Sequence, residues 1–527
     1  MHVTITNITA SSNASRSIDQ LPNELLAEIF GHTYDMLTIE RDGRVNGLPT
    51  CVFLSHVCQR WRNVAIACQY LWAVLPCRSR EWTMTCLARV PSVPVALRFN
   101  ISWGTSDARL SEPRHLTFHM IPRARSLRAW FDLDFYERAR SDTREVLDNL
   151  ETHAAPLLKE LEIGLIQHSD SSWEDSYVPT DVPDLFKGKT PPKLRHILLD
   201  GCAIHRTSSI FSSVLTNIQI ENSYIWRNMD EMIEFFRSVP LLESFIFSYP
   251  RNPTKHNFST ESSQRHPLRC VPLPKLQHFA VDASFEATIR MFSYLAFSPN
   301  AMLRLMLSDN EPMNESEYNE ADLEDLITRG AASVREHYAQ CIRDERYHES
   351  VEIDYNRVTG PSFCLMIPSA LCDGIPRLRA AAAAMYLSIP VFSNATTLII
   401  RGPTDGFITR DLLCCEKVER MCLQGVAPAY LEALLLEGLL PSNELFPDCT
   451  EITIRDFNFA KGVRLIDAYL HLPDGLDLRL AKVLKARRKD TPNLLELILE
   501  QCILGPHTVD IFEAALGVCQ VRVVGAA

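Results

Sequence analysis

Two short segments near the start of the chain space their apolar residues with the period of a helix. The first carries a single stripe, formed by Leu25, Leu26, Ile29 and Phe30. Pro22 suits the first turn of this helix because its missing N–H needs no partner there, and Gly31 is predicted to end it. A predicted loop over 31–52 follows. From Cys51 a second helical face is formed by Leu54, Val57, Cys58, Trp61, Val64, Ala65 and Cys68.

The stretch from Leu21 to Trp72 holds more apolar surface than so small a unit can bury. A unit of about 50 residues buries only a modest fraction of its surface when it folds alone. It must therefore pack against the rest of the chain or present an apolar patch to a partner. Periodicity leaves both alternatives open.

A second pattern, apolar-x-x-apolar-x-apolar, recurs from Leu158 to the end of the chain. Its eleven copies begin at Leu158, Leu194, Leu215, Leu242, Leu276, Met302, Ala395, Val418, Cys449, Leu494 and Val518. Three copies continue to a Cys or Asn, namely Cys202, Asn310 and Cys502, which completes the pattern of leucine-rich repeats. Because such triplets also arise by chance, another α/β arrangement remains the alternative to a solenoid.

Helices are predicted between several of these motifs, over 229–239, 287–297, 430–436 and 509–516. A strand, a turn and a helix in succession form one unit of a solenoid. Several motifs lie 20–29 residues apart, the spacing of leucine-rich repeats, and others lie further apart. The longest step holds an acidic insertion near 309–346, which we expect to be solvated, and a further strand over 358–367.

Three apolar blocks in the first 75 residues resemble an F-box. They read Leu-Pro-x-Glu-Leu-Leu-x-x-Ile-Phe from Leu21, Leu-Ser-x-Val-Cys-x-x-Trp-Arg from Leu54, and Leu71-Trp72. The long 31–52 loop departs from the family's usual link and is similar to loops in the expanded fungal F-box families. The resemblance implies a three-helix module that docks onto the Skp adaptor of a cullin–RING ubiquitin ligase. It implies adaptor-binding roles for Leu21, Pro22, Leu25, Ile29, Val57, Cys58, Trp61, Leu71 and Trp72.

These patterns together predict an α/β protein with a small all-α head followed by an irregular leucine-rich-repeat solenoid. The predicted divisions are a disordered tail over 1–17, an F-box-like head over 18–76, a connecting region over 77–157 and repeats over 158–527. The tail is too polar to bury enough surface to offset its ordering entropy. The connecting region is expected to contain a strand over 93–103 and helices over 78–90 and 132–152.

Composition excludes several classes of protein. A net charge of −12 over 527 residues argues against a nucleic-acid binder that works through a general basic field. No run of about 18 apolar residues occurs, so we expect no membrane span. The N-terminus lacks the apolar core of a signal peptide, and the 16 cysteines form no C-x-x-C pair. We therefore expect reduced thiols and a cytoplasmic or nuclear location.

No pattern for catalysis or for a cofactor is present. The phosphate-binding glycine motifs and the G-x-S-x-G elbow are absent. His115 and His119 lack a third metal ligand, and Cys414, Cys415 and Cys422 lack zinc-finger spacing. We therefore expect no cofactor and no enzyme activity.

The expected function is that of the substrate-recognition subunit of a Skp–cullin–F-box ubiquitin ligase, with a target protein held by the repeats. The alternative is a protein-interaction scaffold outside any ligase, with a repurposed or decayed head. Neither a nucleic acid nor a membrane is expected as a partner.

Overall fold

A computed structural model describes most of the chain. The described residues are 18, 21–37, 50–75, 80–101, 111–133, 137–166, 179–248, 258–307, 320–354, 357–367, 376–402, 412, 414–425, 446–459, 463–464, 476–490 and 496–525. Several predictions lie outside them: the tail over 1–17, most of the loop over 31–52, Asn310, the start of the acidic insertion and the helix over 430–436.

The described residues form fourteen α-helices. These are α1 (Asn23–Leu37), α2 (Thr50–Ser55), α3 (Gln59–Ala67), α4 (Arg80–Arg89), α5 (Ser111–Phe118), α6 (Glu137–Thr152), α7 (Met229–Ser238), α8 (Phe285–Tyr294), α9 (Glu320–His337), α10 (Ala339–Arg343), α11 (Pro376–Leu387), α12 (Pro390–Ser393), α13 (Leu476–Asp490) and α14 (Thr508–Leu516).

The strands are β1 (Val74–Leu75), β2 (Val95–Ile101), β3 (Ala124–Asp132), β4 (Glu160–Ile166), β5 (Thr180–Asp181), β6 (His196–Asp200), β7 (Cys202–Ala203), β8 (Asn217–Glu221), β9 (Ser244–Ser248), β10 (Val271–Leu273), β11 (His278–Ala283), β12 (Leu295–Phe297), β13 (Met302–Leu307), β14 (Ser350–Asp354), β15 (Arg357–Gly360), β16 (Phe363–Met366), β17 (Thr397–Arg401), β18 (Arg420–Gln424), β19 (Glu451–Arg455), β20 (Phe457–Asn458), β21 (Val463–Arg464), β22 (Glu496–Glu500) and β23 (Val521–Val524).

The helix α1 is longer than the sequence predicts. It continues through Gly31 to Leu37, so the prediction that Gly31 ends the helix is wrong. A glycine inside a helix costs only about 1 kcal/mol relative to alanine, an amount that the surrounding structure readily overrides. A Cβ atom at Gly31 would meet no atom within 4 Å, so crowding does not require a glycine there.

The second apolar segment is two helices rather than one. A turn after Ser55 separates α2 from α3, and Cys58 caps α3 by accepting a hydrogen bond from the backbone N–H of Trp61 at 3.4 Å. Because the chain turns here, Val57 is exposed and does not share a face with the buried Val64. The predicted single helical face was therefore wrong for the residues of the turn.

The chain divides into two compact units, and the division falls inside the predicted repeat domain. Unit 1 comprises 1–168, 180–202 and 208–210, and unit 2 comprises 169–179, 203–207 and 211–527. Unit 1 contains α1–α6 and a parallel sheet in the order β1, β2, β3, β4, β6. The connecting region over 77–157 thus adds two central strands to this sheet. The sequence predicted β2 but missed β3.

Unit 2 is built on a sheet of twelve described strands, all parallel except one. Their order is β8, β9, β11, β13, β16, β15, β14, β17, β18, β19, β22, β23. The exception is β15, which is antiparallel to both neighbours. The longest step between motifs therefore holds α9, α10 and a three-stranded meander of β14, β15 and β16. The sequence predicted a single strand over 358–367, and this stretch is the hairpin of β15 and β16.

Every one of the eleven repeated motifs lies at a strand. The strands are β4, β6, β8, β9, β11, β13, β17, β18, β19, β22 and β23. Equivalent motif positions pair across most of the sheet, as Met421 pairs with Ile452, and Ile452 pairs with Leu497. The copy that begins at Met302 is out of register by two residues, because Phe279 pairs with Leu303 and not with Leu305. The protein is therefore a mixed α/β protein with a large, mostly parallel sheet, as the apolar pattern predicted.

Helices of unit 2 cover one face of its sheet through aromatic contacts. The ring of Phe236 in α7 lies 4.7 Å from that of Phe245 in β9, and Phe292 in α8 lies 6.3 Å from Phe279 in β11. All four side chains are essentially buried. No helix among the described residues is long and apolar enough to cross a membrane.

Two cysteines follow strands and bond to the neighbouring strand. The Cys202 thiol donates to the carbonyl of Ile163 at 3.6 Å, and the Cys502 thiol donates to the carbonyl of Ile454 at 3.3 Å. Both cysteines are buried. They occupy the Cys or Asn position of the repeated motif and link consecutive strands there.

Candidate partner-binding surface

The helix α1 has a buried face and an exposed apolar face. Leu26 and Phe30 are 0% and 1% exposed, whereas Leu25 and Ile29 are 47% and 43% exposed. Pro22, in the turn before the helix, is also exposed. Pro22, Leu25 and Ile29 follow one another at spacings of three and four residues, so they lie along one side of the helix. A solvated helix does not need an apolar stripe on that side.

The turn before α3 adds a second exposed apolar group. Val57 is 60% exposed, and Cys58 beside it is exposed as well. Trp61, one turn into α3, is half-buried because its ring packs 4.9 Å from the ring of Phe30. The Trp61 ring therefore joins α3 to the buried face of α1.

Arg60 fastens the start of α1 to the start of α3. Its Nε donates a hydrogen bond to the side-chain oxygen of Asn23 at 3.1 Å, and its Nη2 donates to the carbonyl of the half-buried Leu21. These bonds hold the two exposed apolar groups on one module. We call the exposed set the head patch, consisting of Pro22, Leu25, Ile29, Val57 and Cys58.

Leu71 and Trp72 lie in the interior of unit 1, although the F-box resemblance implied contacts with a partner. Each is 2% exposed. The Trp72 indole donates to the carbonyl of Ala65 at 2.7 Å, its ring lies 5.6 Å from that of Trp82, and the Arg89 guanidinium lies 3.7 Å from its centre. These contacts join the end of α3 to α4. The two residues support the module rather than forming its surface.

Among the described residues of unit 1, five further exposed apolar side chains were not identified from the sequence. They are Ile18, Phe53, Ile66, Tyr70 and Met84. No motif marks these positions, and helical period alone does not show that they lie outside the core. Their exposure shows that apolar surface extends beyond the head patch.

His115, Cys414 and Cys415 have contacts within the fold. His115 lies 3.0 Å from the carboxylate of Glu145, and His119 is exposed. The thiols of Cys414 and Cys415 are 3.9 Å apart, and this contact together with burial raises the pKa of the Cys415 thiol. Within the described ranges, no three His, Cys, Asp or Glu side chains lie close enough to hold a metal ion.

Unit 2 has a cavity of about 610 Å³ at the start of β11 and β13. Its polar lining includes Glu243, Lys275, His278, Asn300 and Ser362.

A scan against protein-family models found no match, and a search of curated proteins found none.

Proposed function

We propose that this chain binds the Skp adaptor of a cullin–RING ubiquitin ligase through an F-box-like head and carries a target protein on its repeats. The observation that carries the proposal is the coincidence of motif and exposure in α1. The F-box resemblance selects Pro22, Leu25 and Ile29 for contact, and these apolar residues are exposed, Pro22 just before α1 and the other two on it. Leu26 and Phe30, from the same block, form the core.

The nine residues implied by the resemblance divide into contact and support. Pro22, Leu25, Ile29, Val57 and Cys58 form the contact surface, with Leu21 and Trp61 half-buried at its edge. Leu71 and Trp72 are support residues. Removal of exposed apolar side chains from water by a partner lowers the free energy of the complex in proportion to the apolar area that is buried. This surface therefore suits a stable complex rather than a transient contact.

The finer description of the fold as a leucine-rich-repeat solenoid is part of the same proposal. Two observations support it: the motifs that lie at successive parallel strands, and the Cys202 and Cys502 thiols that bond to the neighbouring strand. In solenoids each repeat contacts its neighbours and leaves an extended surface for binding. We assign the target protein to that surface.

In this role the chain acts by positioning and not by its own chemistry. Holding a target near a ubiquitin-loaded enzyme raises the effective concentration of its lysines around that enzyme. Such a subunit needs two binding surfaces and no nucleophile. The head patch would supply one surface and the repeats the other.

The test is co-purification of the full-length chain with a Skp adaptor. Ile29→Asp places a charge in the centre of the head patch, and we expect at least about a thirtyfold loss of affinity, the amount that corresponds to a hot-spot residue. The matched control is Leu268→Asp, which places the same charge on an apolar residue of unit 2 that is 63% exposed. The control should bind like the wild type.

Two outcomes separate the proposal from its competitors. Failure of the wild-type chain to bind the adaptor, under conditions in which an established F-box protein binds, contradicts the proposal. Adaptor binding without recruitment of a cullin instead favours the scaffold outside any ligase. Circular dichroism of each variant shows whether a loss of binding reflects unfolding.

A further inference from the structure

The helix α13 is strongly basic, although the whole chain is acidic. The chain carries a net charge of −12. The sequence of α13 contains two acidic residues, Asp477 and Asp490. It contains six basic ones: Arg479, Lys482, Lys485, Arg487, Arg488 and Lys489. A local reversal of charge of this size sets α13 apart from its surroundings.

One face of α13 is occupied by packing. Leu480, Ala481, Val483 and Leu484 are buried, and α13 lies against α14 within unit 2. Arg488 takes part in this packing, because its guanidinium donates a hydrogen bond to the carbonyl of Leu516 at the end of α14. The buried face is therefore not available to a partner, and Arg488 is bonded to the end of α14.

The opposite side of α13 presents a short basic stripe. Leu478 is 52% exposed, and Lys482 and Lys485 are exposed. Spacings of four and three residues place them in one row, and seven residues of helix extend about 10 Å. We call these three residues the lysine stripe.

The two lysines have no intramolecular role that accounts for them. The residues three and four positions away from either lysine include no Asp or Glu, so no acidic pair within the helix stabilises them. No ion pair to Lys482 or Lys485 occurs in the part of the chain that the structure describes. A cation in the last turn of a helix stabilises the helix dipole, but both lysines lie before the last turn of α13. Two like charges three residues apart instead destabilise the helix slightly.

We infer that the lysine stripe binds an acidic protein segment, rich in Asp and Glu with an apolar residue beside the charges. Each lysine is a compact point charge with three donors, which pairs with a single carboxylate of an Asp or Glu side chain. Leu478 supplies an apolar contact at one end of the row. The inference is independent of the proposed adaptor binding, because it rests on a different element and a different unit.

Other polyanions fit this stripe less well. A nucleic acid or an anionic membrane extends far beyond 10 Å and would meet the net negative charge of the chain. At physiological salt a short segment sees mainly the charges within about 8 Å of it. A membrane would also need an apolar helix face, and the apolar face of α13 is buried in unit 2.

Fluorescence anisotropy on the full-length chain tests the inference. The probe is a fluorescein-labelled peptide of sequence Leu-Glu-Glu-Glu-Leu-Glu-Glu-Glu, at an ionic strength of about 0.05 M, where the Debye length exceeds 10 Å. We expect binding by the wild type and at least about a tenfold loss of affinity in Lys482→Glu/Lys485→Glu, with binding that weakens as salt is added. Single-stranded DNA and vesicles of phosphatidylserine and phosphatidylcholine are the competing probes.

The matched control is Lys193→Glu/Lys275→Glu, which changes the net charge equally at two other exposed lysines. Equal loss of peptide binding in both double variants would overturn the inference, because it would then reflect net charge alone. No binding by the wild type, or tighter binding of DNA or vesicles than of the peptide, would overturn it as well. Adaptor co-purification by Lys482→Glu/Lys485→Glu is expected to be unchanged, which keeps this test separate from that of the head patch.

Discussion

The Nε of Arg60 donates a hydrogen bond of 3.1 Å to the side-chain oxygen of Asn23, across 37 residues of sequence. Arg60 lies in the second apolar block of the head and Asn23 in the first. A second bond from the same guanidinium reaches the carbonyl of Leu21. One polar side chain therefore joins the two apolar blocks, beside the packing of Trp61 on Phe30.

Replacement of this arginine should loosen the start of α1. Arg60→Met keeps much of the apolar stem and removes the donors to Leu21 and Asn23. We expect the free energy of unfolding to fall by about 1–2 kcal/mol, since bonds from a charged donor contribute that much. Denaturation in urea measures the change. Arg265→Met serves as control, because the Arg265 side chain is 75% exposed and its contact with Asp230 is long, at 3.7 Å. The free energy of unfolding of this variant should change by less than about 0.5 kcal/mol.

The two faces of α1 should separate stability from binding. Phe30→Ala removes a buried ring that packs 4.9 Å from Trp61, and we expect a loss of about 3–5 kcal/mol in stability. Leu25→Ala alters an exposed side chain and should cost less than about 1 kcal/mol in stability while weakening adaptor binding. Denaturation and adaptor pull-down measured on both variants give the comparison. Equal stability losses would contradict the assignment of faces.

Acid should destabilise unit 2 through a buried histidine at the end of α9. Burial, helped by the nearby Arg269 guanidinium, lowers the pKa of His337 from 6.5 to about 3, and burial lowers the pKa of His348 to about 4. As the pH falls below 6.5, these two histidines are therefore protonated in the unfolded chain before they are protonated in the folded chain. Stability is fully present above pH 6.5 and falls as the pH drops toward the folded pKa. Between pH 7 and pH 5 we expect His337 to remove about 2 kcal/mol.

The matched variant for this prediction is His337→Phe. Neither ring nitrogen of His337 has a hydrogen-bond partner among the described residues, and its neighbours Phe292 and Phe297 are aromatic. Phenylalanine should therefore fit and should keep stability at pH 7. Chemical denaturation at pH 7, 6 and 5 should show a smaller loss for the variant than for the wild type. Parallel pH profiles would show that the pKa of His337 is the same in the folded and unfolded chains, and would contradict the prediction.

The cysteine after β22 should tolerate asparagine better than valine. The Cys502 thiol donates to the carbonyl of Ile454. Cys502→Val removes the donor and should cost about 1 kcal/mol, whereas the amide of Cys502→Asn can donate to the same carbonyl. Thermal unfolding of both variants is the measurement, with the half-exposed Cys270→Val as a control that should change little. Lower stability of the asparagine variant than of the valine variant would argue against a leucine-rich repeat at this position.

Local pattern was sufficient where one period describes an element. The apolar triplets predicted all eleven strands because alternate residues of a buried strand face the same way. The helix over 229–239 was predicted for a similar reason and is α7. β3 was missed because its inward residues include Ala124 and Ala129, whose small side chains give little apolar signal. The strand predicted over 358–367 covers both β15 and β16, and the turn between them was missed because a short hairpin inside a parallel sheet leaves no mark in the spacing.

The amino-acid sequence by itself determined the order of the apolar blocks, the strand positions and the residues from which a head surface can be built. Only the tertiary structure decided that Leu25 and Ile29 face solvent while Leu71 and Trp72 are buried. All four are large apolar residues in motif blocks, so no property of their own distinguishes them. Exposure depends on which neighbours the fold brings to each side chain, such as Ala65 and Arg89 around Trp72. Those contacts arise between distant parts of the chain and are not encoded in any local period.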